Sequence, residues 1–228
     1  MENPMPYQLR ALARLLNYPG AELRAQLEPL QGALQLPSFS AQTQAGLRSL
    51  LDYLGHSDSL QIEQDYVATF DRGRATALHL FEHVHGDSRE RGPAMLDLAA
   101  TYAQKNVFLA PGELPDHLCV ALEFASVCEA QEARDFLAET GHILQAIYAA
   151  LVKRASPWAG ALAAVLELAG VAPDARAGAA PDNAESLDQS WQEPPAFGGC
   201  DSAGQLRADG SMPLNFYPPT RNRHGARP

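Results

Sequence analysis

Apolar residues recur three or four positions apart from Leu9 to Leu166, and no stretch alternates apolar and polar in steps of two with β-branched residues. That spacing restricts the chain to helices, because a helix face returns every three or four residues and a strand face every second one. Leu9, Leu12, Leu15 and Leu16 form one stripe, closed by Asn17-Tyr18-Pro19-Gly20. Leu47, Leu50, Leu51 and Leu54 form another, closed at Gly55. Asp58 is placed to cap a third segment, in which Ile62, Tyr66 and Phe70 lie four apart. Further stripes follow Pro115 (Leu118, Leu122, Ala125) and Glu132 (Phe136, Leu137, Ile143, Leu144, Ile147, Tyr148, Leu151). Ser156-Pro157 reads as an N-cap with proline at the first helical position, leading into Leu162, Val165 and Leu166. The expected fold is all-α, a single-domain bundle of roughly eight to ten helices.

The periodicity stops near Gly170. Residues 171–228 are rich in Pro, Gly, Ala and Asp, and so poor in apolar residues that burial does not offset the entropy of ordering them. The expected organisation is a helical domain over residues 1–170 and a largely disordered tail over 171–228. Two islands in that tail, Trp191 to Phe197 and Leu214 to Tyr217, are apolar enough to dock on the helical body.

Charge and cysteine usage exclude several classes of function. A formal charge of −10 argues against nucleic-acid binding, which needs a basic face. Cys119, Cys128 and Cys200 are three cysteines without CxxC spacing, which gives neither a disulfide framework nor a zinc site. The start of the chain shows no signal-peptide pattern, and no run of apolar residues is long enough to span a bilayer. The expected location is the cytoplasm, with no direct membrane insertion.

Two stretches are dense in groups capable of chemistry. In Leu78 to Gly92, His79, His83 and His85 invite a metal reading, with Glu82 or Asp87 as an added carboxylate. The competing account is a helix–turn–helix corner: Gly86 ends one helix, while Asp87 and Glu90 form a capping box for the next. Capping explains the corner better, so the expectation is that no metal is bound. In Pro111 to Leu118, Pro115 is expected near the first position of a helix, with Glu113 and Asp116 favourable to its positive end. His117 beside Asp116 suggests acid–base work, but no serine or cysteine nucleophile sits in a recognisable elbow, and no Gly-rich phosphate loop follows a strand. Acids also gather beyond this point, at Glu113, Asp116, Glu123, Glu129, Glu132, Asp135 and Glu139, against Arg134 alone. Such a run is either a solvated face or the wall of a groove for a basic peptide.

Three motifs carry a resemblance. Tyr66-Val67-Ala68-Thr69-Phe70-Asp71 resembles Y-V-x-x-F-D, and Leu78 to Gly92 resembles L-x-L-x-E-H-x-x-G-D-x-R-x-R-G. Glu113 to Phe124 resembles E-L-P-D-x-L-P-x-x-L-E-F, with Cys119 where the pattern has proline. These are signatures of the nitrate reductase molybdenum cofactor assembly chaperones, the NarJ group of the TorD/DmsD-like maturation chaperones. The similarity runs over roughly residues 5 to 170 in order, with weaker echoes at Trp191-Gln192-Glu193-Pro194 and Phe216-Tyr217-Pro218.

The resemblance implies a chaperone that binds the apo catalytic α subunit of a respiratory nitrate reductase through its N-terminal, leader-like segment. It implies that the subunit is kept from its membrane anchor until the molybdenum bis-guanine-dinucleotide cofactor is inserted, and that the chaperone is absent from the final enzyme. Cofactor-biosynthesis proteins are further partners that the family allows. Neither a catalytic residue nor a cofactor of its own is implied. The client would contact Glu113, Leu114, Pro115, Asp116, His117 and Leu118 at the start of a groove helix. Glu82, His83, Asp87, Arg89 and Arg91 would brace the neighbouring corner through salt bridges or touch the client. Two alternatives stay open: a chaperone of another molybdoenzyme, such as a sulfoxide or amine-oxide reductase, and a metal-dependent enzyme using His79, His83 and His85.

Overall fold

A computed structural model of the chain describes residues 3–86 and 88–176. Asp87 and the two apolar islands of the tail lie outside the described residues. Among those described there are ten α-helices and no β-strand beyond a single isolated bridge, so the fold is all-α as expected.

The first half contains α1 (Met5–Leu16), α2 (Leu23–Leu34), α3 (Ala41–His56) and α4 (Ser59–Tyr66). A π-helical turn at Val67–Asp71 and a 3₁₀ turn at Arg74–Thr76 follow. Then come α5 (Leu80–Val84), α6 (Arg91–Gln104), α7 (Leu118–Ala125), α8 (Ala130–Glu139), α9 (Gly141–Lys153) and α10 (Ala159–Leu168). The stripe on α1 is buried as its spacing requires, with Leu9, Leu12, Leu15 and Leu16 inaccessible to solvent. Asp58 caps α4, accepting from the amides of Leu60 at 3.0 Å and Gln61 at 3.2 Å.

α10 is apolar on every side, and every residue from Gly160 to Leu166 is buried, so it forms the centre of the bundle. It crosses α3 where Gly160 meets Gly46. A β-carbon on Gly160 would lie 2.6 Å from the Gly46 carbonyl oxygen and 2.7 Å from the Leu47 nitrogen. The crossing therefore requires both helices to lack a side chain there. Two turns away, Glu167 of α10 grips the start of α3: it accepts from the Ser40 amide at 2.9 Å, the Ser40 hydroxyl at 2.5 Å and the Thr43 hydroxyl at 2.6 Å. Burial opposes ionisation of Glu167, but these hydrogen bonds outweigh it and hold the carboxyl below its ordinary value. Trp158, fully buried just before α10, packs edge-on against Tyr53, Tyr66 and Phe70.

Several helix boundaries differ from expectation. Ser156 does not cap α10: its amide closes α9 instead, donating to Leu151 O at 2.9 Å while Ala155 takes the left-handed conformation, and its buried hydroxyl has no partner among the described residues. The long run after Glu132 is two helices, broken at Thr140, and α3 continues through Gly55 to His56. α2, which the leucine stripes do not mark, carries Pro29 in its interior and buries only Leu23 and Leu34 fully. At its far end α10 closes on Gly170, but the chain stays in contact beyond it. Val171 packs partly on the core, and Asp174 exchanges backbone hydrogen bonds with the Gln145 side chain.

Candidate functional site

The two motif-rich stretches, 37 positions apart at His79 and Asp116, meet in space. Leu80 N donates to Asp116 O at 2.9 Å and Leu118 N to Leu78 O at 2.8 Å, an antiparallel bridge pairing His79 with His117. This short ladder lays the start of α5 beside the start of α7.

Asp116 is the centre of the junction. Its side chain is fully buried, and three donors from the other stretch converge on it. They are the Phe81 amide at 3.2 Å, His79 Nδ1 at 3.3 Å and the Arg91 guanidinium at 3.5 Å. A carboxylate removed from water is tolerated only with such partners. Arg91 reaches Glu82 as well, at 3.6 Å, so it bridges both motifs from the first turn of α6. The hydrogen bond to Asp116 holds the His79 imidazole above its ordinary pKa, against the opposing effect of burial. His117, whose ring meets that of His79 edge-on at 4.9 Å, is pushed the other way, first by burial and then by His79. Its Nδ1 accepts from the Cys119 amide at 3.3 Å, which requires that nitrogen to be unprotonated.

That contact corrects the expected helix start. His117 itself is the N-cap of α7, and Pro115 lies outside the helix, its carbonyl taken by the Tyr102 hydroxyl at 2.8 Å. Pro115, Asp116 and Leu118 are buried in the junction instead of lining an open rim. Glu113 and Leu114 are exposed, and His117 is partly so. The capping box at the corner rests on Asp87 and so lies outside the described residues. Among the described residues α6 begins at Arg91 with Glu90 in the cap position, and Ser88 accepts from the Glu90 amide at 3.2 Å. Arg89 is exposed, and Glu82 and His83 are half-buried.

The three histidines do not converge. His79 precedes α5 and so does not share a helical face with His83, which donates from Nε2 to Ala77 O at 2.9 Å. His85 meets Phe81 edge-on, with ring centroids 5.4 Å apart. Among the described residues no group of three His, Cys, Asp or Glu side chains is arranged to hold a metal ion. Likewise, none of their helices is long and apolar enough to cross a membrane.

From α6 to the turn after α7 the chain exposes acids together with large apolar side chains. Phe108 is 76% exposed, Leu96 73% and Leu114 45%, and Val127 is exposed beyond α7. Glu113 and Glu123 face one another closely enough that, after burial, the charge of Glu113 is the next cause raising the Glu123 pKa. Glu132 is held by Lys105 at 2.8 Å. Sequence reasoning missed the peculiarity of α6: of its residues only Tyr102 is buried, stacked on Phe124 at 4.5 Å. The four-residue spacing of Leu98 and Tyr102 was the available signal.

What the fold and junction define is an all-helical protein whose two signature segments build one buried polar junction beside an acidic, partly apolar surface. The chain belongs to the nitrate reductase delta subunit family, whose pattern matches residues 36–164. It is 38% identical over 197 residues to the nitrate reductase molybdenum cofactor assembly chaperone NarJ of Escherichia coli K12, covering 82% of each chain. It is 37% identical over 165 residues to a second protein of that strain, named "Probable nitrate reductase molybdenum cofactor assembly chaperone NarW", covering 69% of this chain and 70% of that one. The nitrate reductase-like protein NarX of Mycobacterium tuberculosis (strain H37Rv) is 36% identical over 152 residues, which is 66% of this chain and 22% of that longer one.

Proposed function

We propose that this protein is a maturation chaperone for nitrate reductase. It binds the apo catalytic α subunit through that subunit's N-terminal segment, permits molybdenum cofactor insertion, delays membrane attachment and is absent from the finished enzyme. It acts in the cytoplasm, without catalysis and without a cofactor of its own. The observation that carries this reading is the 38% identity, sustained over 82% of both chains, to a protein named for that role. The exposed residues around Glu113 support it: Leu114 is exposed next to it and Phe108 five positions before it in the chain, which suits an amphipathic helix with a basic end. In this mode the apolar face supplies most of the affinity and the acids set orientation and on-rate. Asp116 and His117 act from behind, by fixing the start of α7 and the segment that carries Leu114.

The test is co-purification of the full chain from cells making a nitrate reductase, followed by titration with a peptide from the α-subunit N-terminus. Capture of the α subunit and saturable peptide binding are expected. Capture of a sulfoxide or amine-oxide reductase in its place would reassign the client, and capture of neither would remove the reading.

A further inference from the structure

We infer that the cleft between the π turn and the start of α6 binds a multiply charged tetrahedral oxyanion group, of the phosphate, diphosphate or molybdate kind. The cleft holds about 480 Å³ and is lined by Arg72, Arg74 and Arg91, with Asp71, His79 and Glu82. A fourth guanidinium, that of Arg154 at the end of α9, lies beside Gly73 of the lining, where an added β-carbon would come 3.0 Å from it. The chain as a whole carries 27 acidic residues against 17 basic ones, so four arginines around one cleft run against its overall charge.

The way these arginines are held matters more than their number. Arg91 is neutralised by Glu82 and Asp116. Arg74 and Arg154 are fixed by main-chain carbonyls instead: Arg74 donates to Glu82 O at 3.2 Å and Arg154 to Ala68 O at 2.9 Å. A carbonyl orients a guanidinium without cancelling its charge. Among the described residues Arg72 has no hydrogen-bond or ion-pair partner for its side chain, and of the two carboxylates lining the cleft Glu82 pairs with Arg91 while Asp71 pairs with none of the described arginines. Glycine makes room for the arrangement. Gly86 has φ +51°, and a β-carbon there would collide with the Arg74 guanidinium. The backbone at the mouth is irregular as well, since the π turn places Asp71 and Arg72 out of helical step, and such turns concentrate at functional sites.

Planar guanidinium forks pair with oxyanions through two parallel hydrogen bonds, which favours a tetrahedral group with several charged oxygens. Two sources present that group: a free oxyanion, and the diphosphate linkage of a dinucleotide. The inference goes beyond the chaperone reading, because the cleft uses none of Phe108, Glu113 and Leu114.

The experiment is titration calorimetry of the full chain at fixed ionic strength with inorganic diphosphate, molybdate and diguanosine diphosphate, with acetate as control. Saturable binding of at least one of the three is expected, weakened about tenfold or more in Arg72→Gln/Arg74→Gln and also weakened in Gly86→Ala. The exposed Arg72→Gln alone keeps the wild-type melting temperature and the wild-type affinity for the reductase peptide, so failure of this site is distinguishable from failure of the chaperone reading. Tighter binding of the dinucleotide than of diphosphate assigns the group to a nucleotide, and equal or weaker binding to a free oxyanion. No saturable binding at millimolar ligand, or equal affinity in wild type and Arg72→Gln/Arg74→Gln, overturns the inference.

Discussion

The guanidinium of Arg91, the first residue of α6, lies 3.5 Å from the carboxylate of Asp116, which has no exposed surface. One contact thus joins the two signature segments and fastens a helix that buries only Tyr102. Removing the buried partner strands the groups that converge on it, a loss of about 3–5 kcal/mol for a buried pair. Asp116→Ala should therefore lower the denaturant midpoint strongly. Arg91→Ala should cost less, because the Phe81 amide and His79 still serve the carboxylate. A midpoint for Asp116→Ala equal to wild type would show that the junction is not a structural element.

The two histidines of the junction should give opposite pH slopes. His79 has its folded pKa raised, so its contribution is fully present below its unfolded value of about 6.5 and disappears as pH rises through the folded value. His117 has its folded pKa lowered, so its contribution is present above about 6.5 and is lost as pH falls through the folded value. The charged groups around them are Asp116, Glu82 and Arg91 for His79, with Glu113 and Asp71 also acting on His117. Relative to wild type, His79→Gln should lose stability mainly on the acid side. His117→Asn, which retains a capping side chain, should resist acid better. Melting temperatures measured across the titration range decide this, and parallel curves for all three proteins would refute it.

Glu167 gives a separate acid-side effect. Its folded pKa is depressed, so its contribution is present above the unfolded carboxyl value and is lost as pH falls through the folded one. Ser40→Ala should cost about 1 kcal/mol through the lost cap. It should also be non-additive with Glu167→Gln, since the two side chains share one hydrogen bond. A double-mutant cycle by urea denaturation reads the coupling, and strict additivity would contradict the geometry.

Two glycines to be replaced by alanine should behave differently. At Gly160 the added carbon meets the backbone of α3, so Gly160→Ala should cost at least the 1–3 kcal/mol typical of an overpacked core, about that much or more. At Gly32, inside α2, nothing lies within 4 Å, and the better helix propensity of alanine should raise the melting temperature slightly. If Gly160→Ala melts like wild type, the α3–α10 crossing is looser than described.

On the client-facing surface, Leu114→Ser and Phe108→Ser should each weaken binding of the reductase peptide more than Glu113→Gln does. An exposed charge pair contributes at most about 1 kcal/mol, whereas burying a large apolar side chain contributes about 1.5–3 kcal/mol. Calorimetry at low and high salt separates the two effects. Peptide affinity unchanged in both serine variants would place the client elsewhere.

The helical class was legible because Leu9, Leu12, Leu15 and Leu16 encode a face, and a face is a local property. Asp58 was legible for the same reason, since a cap acts two or three residues away. What failed were local readings settled by distant partners. Pro115 and Asp116 looked like a helix start with acids favourable to the dipole, but their positions are decided by Tyr102, His79 and Arg91, which are far away in sequence. Ser156-Pro157 has the composition of a cap, yet the preceding helix uses the serine amide first. The run to Leu151 breaks at Thr140, where acid-rich Ala130–Glu139 gives way to apolar Gly141–Lys153, and Thr140-Gly141 was the signal the apolar periodicity overrode. The glycine crossing at Gly46 and Gly160 was silent, because close approach of two helices leaves no periodic trace.

α6 is attached at its two ends, and between them Ala94, Met95, Leu98 and Ala99 are only half-buried. Its opening exposes little apolar surface beyond Tyr102 and Leu98, so it requires far less free energy than unfolding of the bundle. Amide protons along Ala94 to Ala100 should consequently exchange with solvent through opening of this helix as a unit, while those of α10 wait for global unfolding. The protein can release one helix and keep its core, so a partner that competes for the surface beneath α6 meets a local equilibrium and not a folded wall.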